Sequence, residues 1–184
     1  MLSQSQGARI MKLSLVLLTL GTLAAGTASG DPPKTLRVVE TVEIKAPLDK
    51  VWATVKDFDG MSKWHPAFSG DELVSGSNGK VGTVRKLTIK DGPIVIERLI
   101  AFDDAHHAYR YRIVKSPLPL AHYSSTITVR PGNAGMTEVT WSGTYQRKNT
   151  SDNPPEAESD AGTIKLVKGV YRGGLDNLKK MLEG

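Results

Sequence analysis

The sequence predicts an α+β domain in which a seven-stranded antiparallel sheet curls around one long C-terminal helix, with two short helices after the first strand. Three observations predict it. One alternating segment near the N-terminus is followed by two helical patterns; six strand-like segments then run consecutively between residues 68 and 148; a single long helical periodicity closes the chain. Strands and helices segregated in this way bury the apolar face of an antiparallel sheet against a helix. A concave sheet packed on one helix can leave a cavity between the two layers.

The first strand spans residues 36–44, where Val38, Val42 and Ile44 share a face. A helix follows over 47–55, with Pro47 suited to its first turn and Leu48, Val51, Trp52 and Val55 at i, i+3, i+4, i+7. Residues 59–64 predict a second short helix, stopped before Pro66 because the residue preceding proline disfavours the α region. The meander then predicts strands over 72–75, 81–90, 94–102, 106–115, 123–130 and 138–146. Asn78-Gly79 reads as a hairpin turn, Asp91-Gly92-Pro93 as a second turn, and Ser116-Pro117-Leu118-Pro119 as a break, since two prolines cannot both occupy a central strand. After Pro154-Pro155, Ile164, Val167, Val170, Tyr171, Leu175, Leu178 and Leu182 fall at helical spacing over about five turns. Gly169, Gly173 and Gly174 each weaken that helix by about 1 kcal/mol relative to alanine. Either the helix is simply weak there, or the small residues make room for a neighbour.

Residues 1–30 read as a secretory signal peptide. Arg9 and Lys12 precede an apolar run over 13–25, and Ala28 and Gly30 supply small side chains for cleavage after Gly30. The run is shorter than the roughly 20 residues a membrane span needs, so no transmembrane segment is expected after cleavage. Met11 serves as well as Met1 for a start. The working domain is then 31–184, and loss of Arg9 and Lys12 lowers the formal charge from +5 to +3. That balance is too small, and too scattered, to argue for nucleic acid. The chain has no cysteine, which excludes disulfides, thiolate metal sites and a cysteine nucleophile. His106 and His107 are adjacent at a predicted strand start and point to opposite faces, so no metal or other cofactor is implied.

Strand alternation supplies a set of inward residues. Tyr109, Tyr111 and Ile113 face in and Arg110 and Arg112 face water; Tyr123, Ser125, Ile127 and Val129 share a face, as do Val139, Trp141, Gly143 and Tyr145, and as do Leu87 and Ile89. Val167, Tyr171 and Leu175 face them from the helix. The 94–102 segment is apolar on both faces, so its period does not say where Glu97 points.

Several fragments in their order carry a family resemblance: Ala46-Pro47 with Val51-Trp52, Asp57-Phe58, Trp64-His65-Pro66, Glu97-Arg98-Leu99, Asp103-Asp104, the stretch from Tyr111 to Val114, Ser116-Pro117-Leu118-Pro119, Tyr123 with Ser125, Trp141-Ser142-Gly143, and Gly169-Val170-Tyr171 with Gly174-Leu175. The chain resembles the START-like, Bet v 1-like (SRPBCC) helix-grip superfamily, in its polyketide cyclase/dehydrase and plant abscisic-acid-receptor branch, over residues 36–183. With its signal peptide and Ser-Pro-Leu-Pro segment it is most similar to MxaD-type periplasmic proteins. The resemblance implies that Glu97 faces a ligand and that His65, placed after Phe58-Asp59 and Trp64, stands where the receptors carry a carboxylate-binding lysine. Histidine at that position argues against the same carboxylate ligand held the same way. The turns Asp91-Gly92-Pro93 and Ser116-Pro117-Leu118-Pro119 correspond in position to the receptors' mobile gate loops, and read equally as ordinary turns.

The expectation is an exported, periplasmic domain that binds a small apolar or amphipathic ligand in an enclosed cavity of roughly 300–1,000 Å³. Its walls are Trp64, Leu87, Ile89, Leu99, Tyr111, Ile113, Ile127, Trp141, Tyr145, Val167, Tyr171 and Leu175, and its polar cluster is His65, Glu97, Tyr123 and Ser125. Three alternatives stand beside it. His65 and Glu97 could serve as general base and orienter of a cyclase or dehydratase; His65 could instead cap its helix while Glu97 is satisfied by a neighbour. The MxaD likeness implies an accessory role beside a periplasmic dehydrogenase and its cytochrome.

Overall fold

A computed structural model describes residues 34–184; the expected signal peptide lies outside the described residues. Seven strands form one antiparallel sheet: β1 (Leu36–Ile44), β2 (Phe68–Ser75), β3 (Val84–Ile89), β4 (Ile94–Asp103), β5 (Ala108–Lys115), β6 (Leu120–Pro131) and β7 (Thr137–Arg147). Two short helices, α1 (Leu48–Val55) and α2 (Met61–Trp64), follow β1, and α3 (Asp160–Glu183) closes the chain. This is the expected helix-grip architecture.

The sheet order is β1-β7-β6-β5-β4-β3-β2. Consecutive hairpins account for β2 to β7, and β1 closes the row against β7, with Leu36 opposite Tyr145 and Ile44 opposite Thr137. The buried faces alternate as expected. Tyr109 and Tyr111 are buried on β5 while Arg110 and Arg112 are exposed, and Val139, Trp141 and Tyr145 are buried on β7. Helix α3 lays Val167, Tyr171, Leu175 and Leu178 across this concave face. Its N-terminus is capped by Ser159, whose hydroxyl accepts from the Gly162 amide at 3.0 Å.

Differences from the expected elements have local causes. The Asn78-Gly79 pair does not make a two-residue hairpin; residues 76–83 form a longer loop. Its Asn78 side chain is used elsewhere, accepting from the Phe58 amide at 2.9 Å and donating to Asp57 at 2.6 Å. Strand β3 therefore begins at Val84 rather than 81. Strand β2 begins earlier than expected, at Phe68, because Phe68 pairs with Ile89 across a register shift that hides the alternation. His106 and His107 lie in the β4–β5 turn, not on a strand; His107 adopts φ 50° and the His106 amide donates to Asp103 at 3.0 Å. Strand β6 extends to Leu120 through an irregularity at His122, where φ is 53°. Among the described residues no helix is long and apolar enough to cross a membrane.

Candidate functional site

A cavity of about 280 Å³ lies between the sheet and α3, just below the expected size and partly open to solvent rather than enclosed. Strands β3 and β4 contribute Leu87, Ile89, Val95 and Glu97; β5 to β7 contribute Tyr111, Ile113, Leu120, Tyr123 and Trp141. Helix α3 supplies Leu166, Val167, Val170 and Tyr171, and the segment after α1 supplies Met61, Ala67 and Phe68. The two turns between strands each add one apolar residue, Pro93 and Leu118. Asp91, Gly92, Ser116, Pro117 and Pro119 lie in those turns without bordering the cavity.

The tyrosines and Trp141 are tied into one buried network. The Trp141 indole and the Tyr171 ring stack with centroids 4.5 Å apart and planes 11° from parallel. The indole N–H donates to Ser125 Oγ at 2.8 Å and, more weakly, to Tyr111 Oη at 3.1 Å. Tyr171 Oη lies 2.9 Å from Ser125 Oγ and 2.6 Å from Tyr123 Oη. The Tyr171 hydroxyl reaches this position because Gly143 opposite carries no side chain; a Cβ there would overlap it. Burial pushes the Tyr171 phenol up to about 12 and those of Tyr111 and Tyr123 well above their usual value, so all three stay protonated.

Glu97 is held by a residue the sequence reading passed over. Arg85 on β3 stands directly opposite Glu97 on β4, and its Nε and Nη2 both donate to Glu97 Oε2, at 2.9 and 2.7 Å. Arg85 is fully buried, donates to the Phe58 carbonyl at 3.1 Å, lies 4.1 Å from the Phe58 ring centroid and approaches Asp71 at 3.7 Å. Burial opposes the charge on Arg85, but the carboxylate of Glu97 overrides it and holds the guanidinium charged. Burial likewise pushes Glu97 up against the pull of Arg85, and raises Asp71 to about 6. The signal was present in the sequence: Arg85 has the same parity as Leu87 and Ile89, so alternation places it inside, where a charge needs a partner.

His65 is likewise fully engaged. Its Nε2 donates to the Val170 carbonyl at 2.9 Å, and its Nδ1 accepts from the Ala67 amide at 3.1 Å. That pattern defines a neutral imidazole, and burial lowers its pKa from 6.5 to about 4. It does not border the cavity. The expected cluster of His65, Glu97, Tyr123 and Ser125 is therefore not formed as one unit: Tyr123 and Ser125 share the aromatic network, Glu97 belongs to Arg85, and His65 staples α2 to α3. The general-base and orienter pairing of His65 with Glu97 is not present, because each is bonded to other partners.

Of the expected walls, Leu87, Ile89, Tyr111, Ile113, Trp141, Val167 and Tyr171 border the cavity; Trp64, Leu99, Ile127, Tyr145 and Leu175 pack in the core beside it. Met61, Phe68, Val95, Leu120, Leu166 and Val170 were not foreseen. Alternation could have found Val95, which shares a face with Glu97; Met61 opens the one-turn helix α2, too short to show a period, and Phe68 opens β2 beside a register shift. The helix glycines divide as well. Gly174 makes room for His65 and Trp141, whereas Gly169 and Gly173 have nothing within 4 Å of where a Cβ would stand.

With this geometry in hand, a family model for polyketide cyclase/dehydrase and lipid transport proteins matches residues 35–183. The chain belongs to that family. As a member of the polyketide cyclase/dehydrase family it falls within the SRPBCC superfamily. Among curated relatives, the abscisic acid receptor PYL10 of Arabidopsis thaliana is 33% identical over 144 residues, which cover 76% of this chain and 75% of the receptor. Among solved structures, the protein XoxI from Bacillus cereus is 31% identical with a TM-score of 0.70, covering 79% of this chain and 94% of its own. The Zhui aromatase/cyclase from Streptomyces sp. R1128 shares the fold at a TM-score of 0.69, with 19% identity over 82% of this chain and 94% of its own.

Proposed function

We propose that this protein binds a small apolar or amphipathic molecule in the cavity between the sheet and α3. The observation that carries the reading is the composition of the wall: apolar and aromatic side chains converge there with one carboxylate and a few hydroxyls, the pattern of a pre-formed ligand pocket. Membership of a family described by cyclisation and lipid transport supports it, as does likeness to a protein named as an abscisic acid receptor. Apolar surface buried in such a pocket contributes about 25 cal/mol per Å² before ordering costs. The volume of about 280 Å³ suits a compact molecule of one or two rings rather than a long lipid. Residues 1–30 support export to a periplasm in the same reading.

Native mass spectrometry of the protein purified from its own source tests this directly. A retained mass of small-molecule size supports the reading; a co-purifying protein with no small molecule favours the accessory role instead. Filling the cavity by Ile113→Trp should abolish binding of every small probe while leaving the thermal midpoint within a few degrees. Binding that survives the filled cavity would place the ligand elsewhere.

A further inference from the structure

We infer that the cavity selects a neutral molecule whose polar end is a hydroxyl, an alcohol or a phenol, over a carboxylate with the same skeleton. The inference rests on the ligand-binding reading above and follows from counting protons in the buried network.

Ser125 has one proton and three partners: the Ser142 carbonyl at 2.9 Å, the Trp141 indole at 2.8 Å and Tyr171 Oη at 2.9 Å. A carbonyl only accepts and an indole only donates. Ser125 must therefore donate to Ser142 and accept from Trp141 and Tyr171; any other arrangement leaves two oxygens facing each other with no proton between them. The Tyr171 proton is thus committed to Ser125, so the 2.6 Å contact takes its proton from Tyr123. Tyr123, on the cavity wall, keeps only lone pairs. Tyr111, also on the wall, accepts from Trp141, and its own proton meets no acceptor among the described residues. Glu97 receives both Arg85 bonds on Oε2, leaving Oε1 without a donor from the described residues.

The wall thus offers two acceptors, Tyr123 Oη and Glu97 Oε1, and one donor, Tyr111. A hydroxyl can donate to either acceptor and accept from Tyr111. A carboxylate only accepts, so Tyr111 alone could serve it, and it would be desolvated near Glu97 with no cation in the lining. His65, the residue at the resemblance's carboxylate-binding position, is neutral and turned to backbone groups. An ammonium fares poorly too. Glu97 is the only charged side chain lining the cavity among the described residues, and Arg85 already balances it.

Equilibrium dialysis of the purified protein near neutral pH tests this with one skeleton, bare or carrying one of four polar ends: naphthalene, naphthol, methoxynaphthalene, naphthoate and naphthylmethylammonium. Naphthol should bind about tenfold more tightly than its methyl ether, which can accept but not donate, and at least as far ahead of both ions. Tyr123→Phe or Glu97→Gln, or both, should narrow the naphthol-to-ether ratio by several-fold. Naphthoate or the ammonium matching naphthol, a ratio near one, or a ratio that both variants leave untouched overturns the selectivity. Binding of naphthalene and the ether alone would overturn the selectivity and leave the ligand-binding reading standing. If no probe binds, that reading falls and this inference with it.

Discussion

The His65 ring occupies the space that a side chain on Gly174 would need: a Cβ there would stand 2.9 Å from Nε2 and 3.0 Å from the Trp141 ring. One glycine in α3 thus sets how closely α2 approaches the last helix. Gly174→Ala should destabilise by about 1–3 kcal/mol, because overpacking outweighs the helix-propensity gain of about 1 kcal/mol. Gly169→Ala and Gly173→Ala, with open space at the same position, should instead stabilise by up to about 1 kcal/mol. Urea denaturation of the three variants checks this; equal shifts in one direction would contradict it.

Gly143 stands in the same relation to Tyr171. Gly143→Ala would drive the phenol out of its place between Ser125 and Tyr123, leaving buried polar groups unpaired at about 1–3 kcal/mol each. In a Tyr171→Phe background the clash with the hydroxyl is gone, so the same substitution should be less damaging by about 1 kcal/mol or more. A double-mutant cycle measures that coupling, and strict additivity would show that the two sites do not meet in this way.

Arg85 and Glu97 should be sensitive to removal of either partner. Glu97→Ala leaves a buried guanidinium near Asp71 alone, and about 3–5 kcal/mol of lost stability is expected. Arg85→Met leaves Glu97 and Asp71 buried without a cation and should be at least as severe; adding Glu97→Leu to it should recover part of the loss. Chemical denaturation of the three variants reads this order. A double variant less stable than Arg85→Met would contradict the account.

The pH dependence of stability contains opposing contributions from a buried histidine and from buried carboxylates. The His65 pKa falls on folding from 6.5 to about 4, so the unfolded chain binds more protons in that window and stability declines as pH falls through it. The Asp71 pKa rises on folding from 3.8 to about 6, so the folded chain binds more protons and stability declines as pH rises through that window. Between about pH 4 and 6 His65 therefore opposes Asp71, and Glu97, also raised on folding from 4.5, acts in the same sense as Asp71. His65→Gln should tilt the profile towards stability falling as pH rises, because the raised carboxylates are then unopposed; Asp71→Asn should tilt it the other way, towards stability falling as pH drops. Thermal midpoints across that range, compared as slopes among the three proteins, decide it.

Export is checked by intact mass. The protein recovered from the periplasm should begin at Asp31, thirty residues shorter than the full chain. A species retaining residues 1–30 would count against cleavage.

Much of the molecule was legible along the chain because strands and helices have different periods. Tyr109 and Tyr111 inward with Arg110 and Arg112 outward needed only the twofold alternation of a strand, and the face of α3 needed only helical spacing. The order of elements and the helix-grip layering followed from these. Other features needed three dimensions. Nothing local says that β1 pairs with β7, since that contact spans about a hundred residues and is decided by which edge remains to be covered. His65 and Glu97 were recognisable as unusual polar residues, but their partners, the Val170 carbonyl and Arg85, are set by the helix crossing and by cross-strand register. A side chain's chemistry is written in the sequence; which of its protons and lone pairs remain free for a ligand depends on the neighbours that tertiary packing supplies.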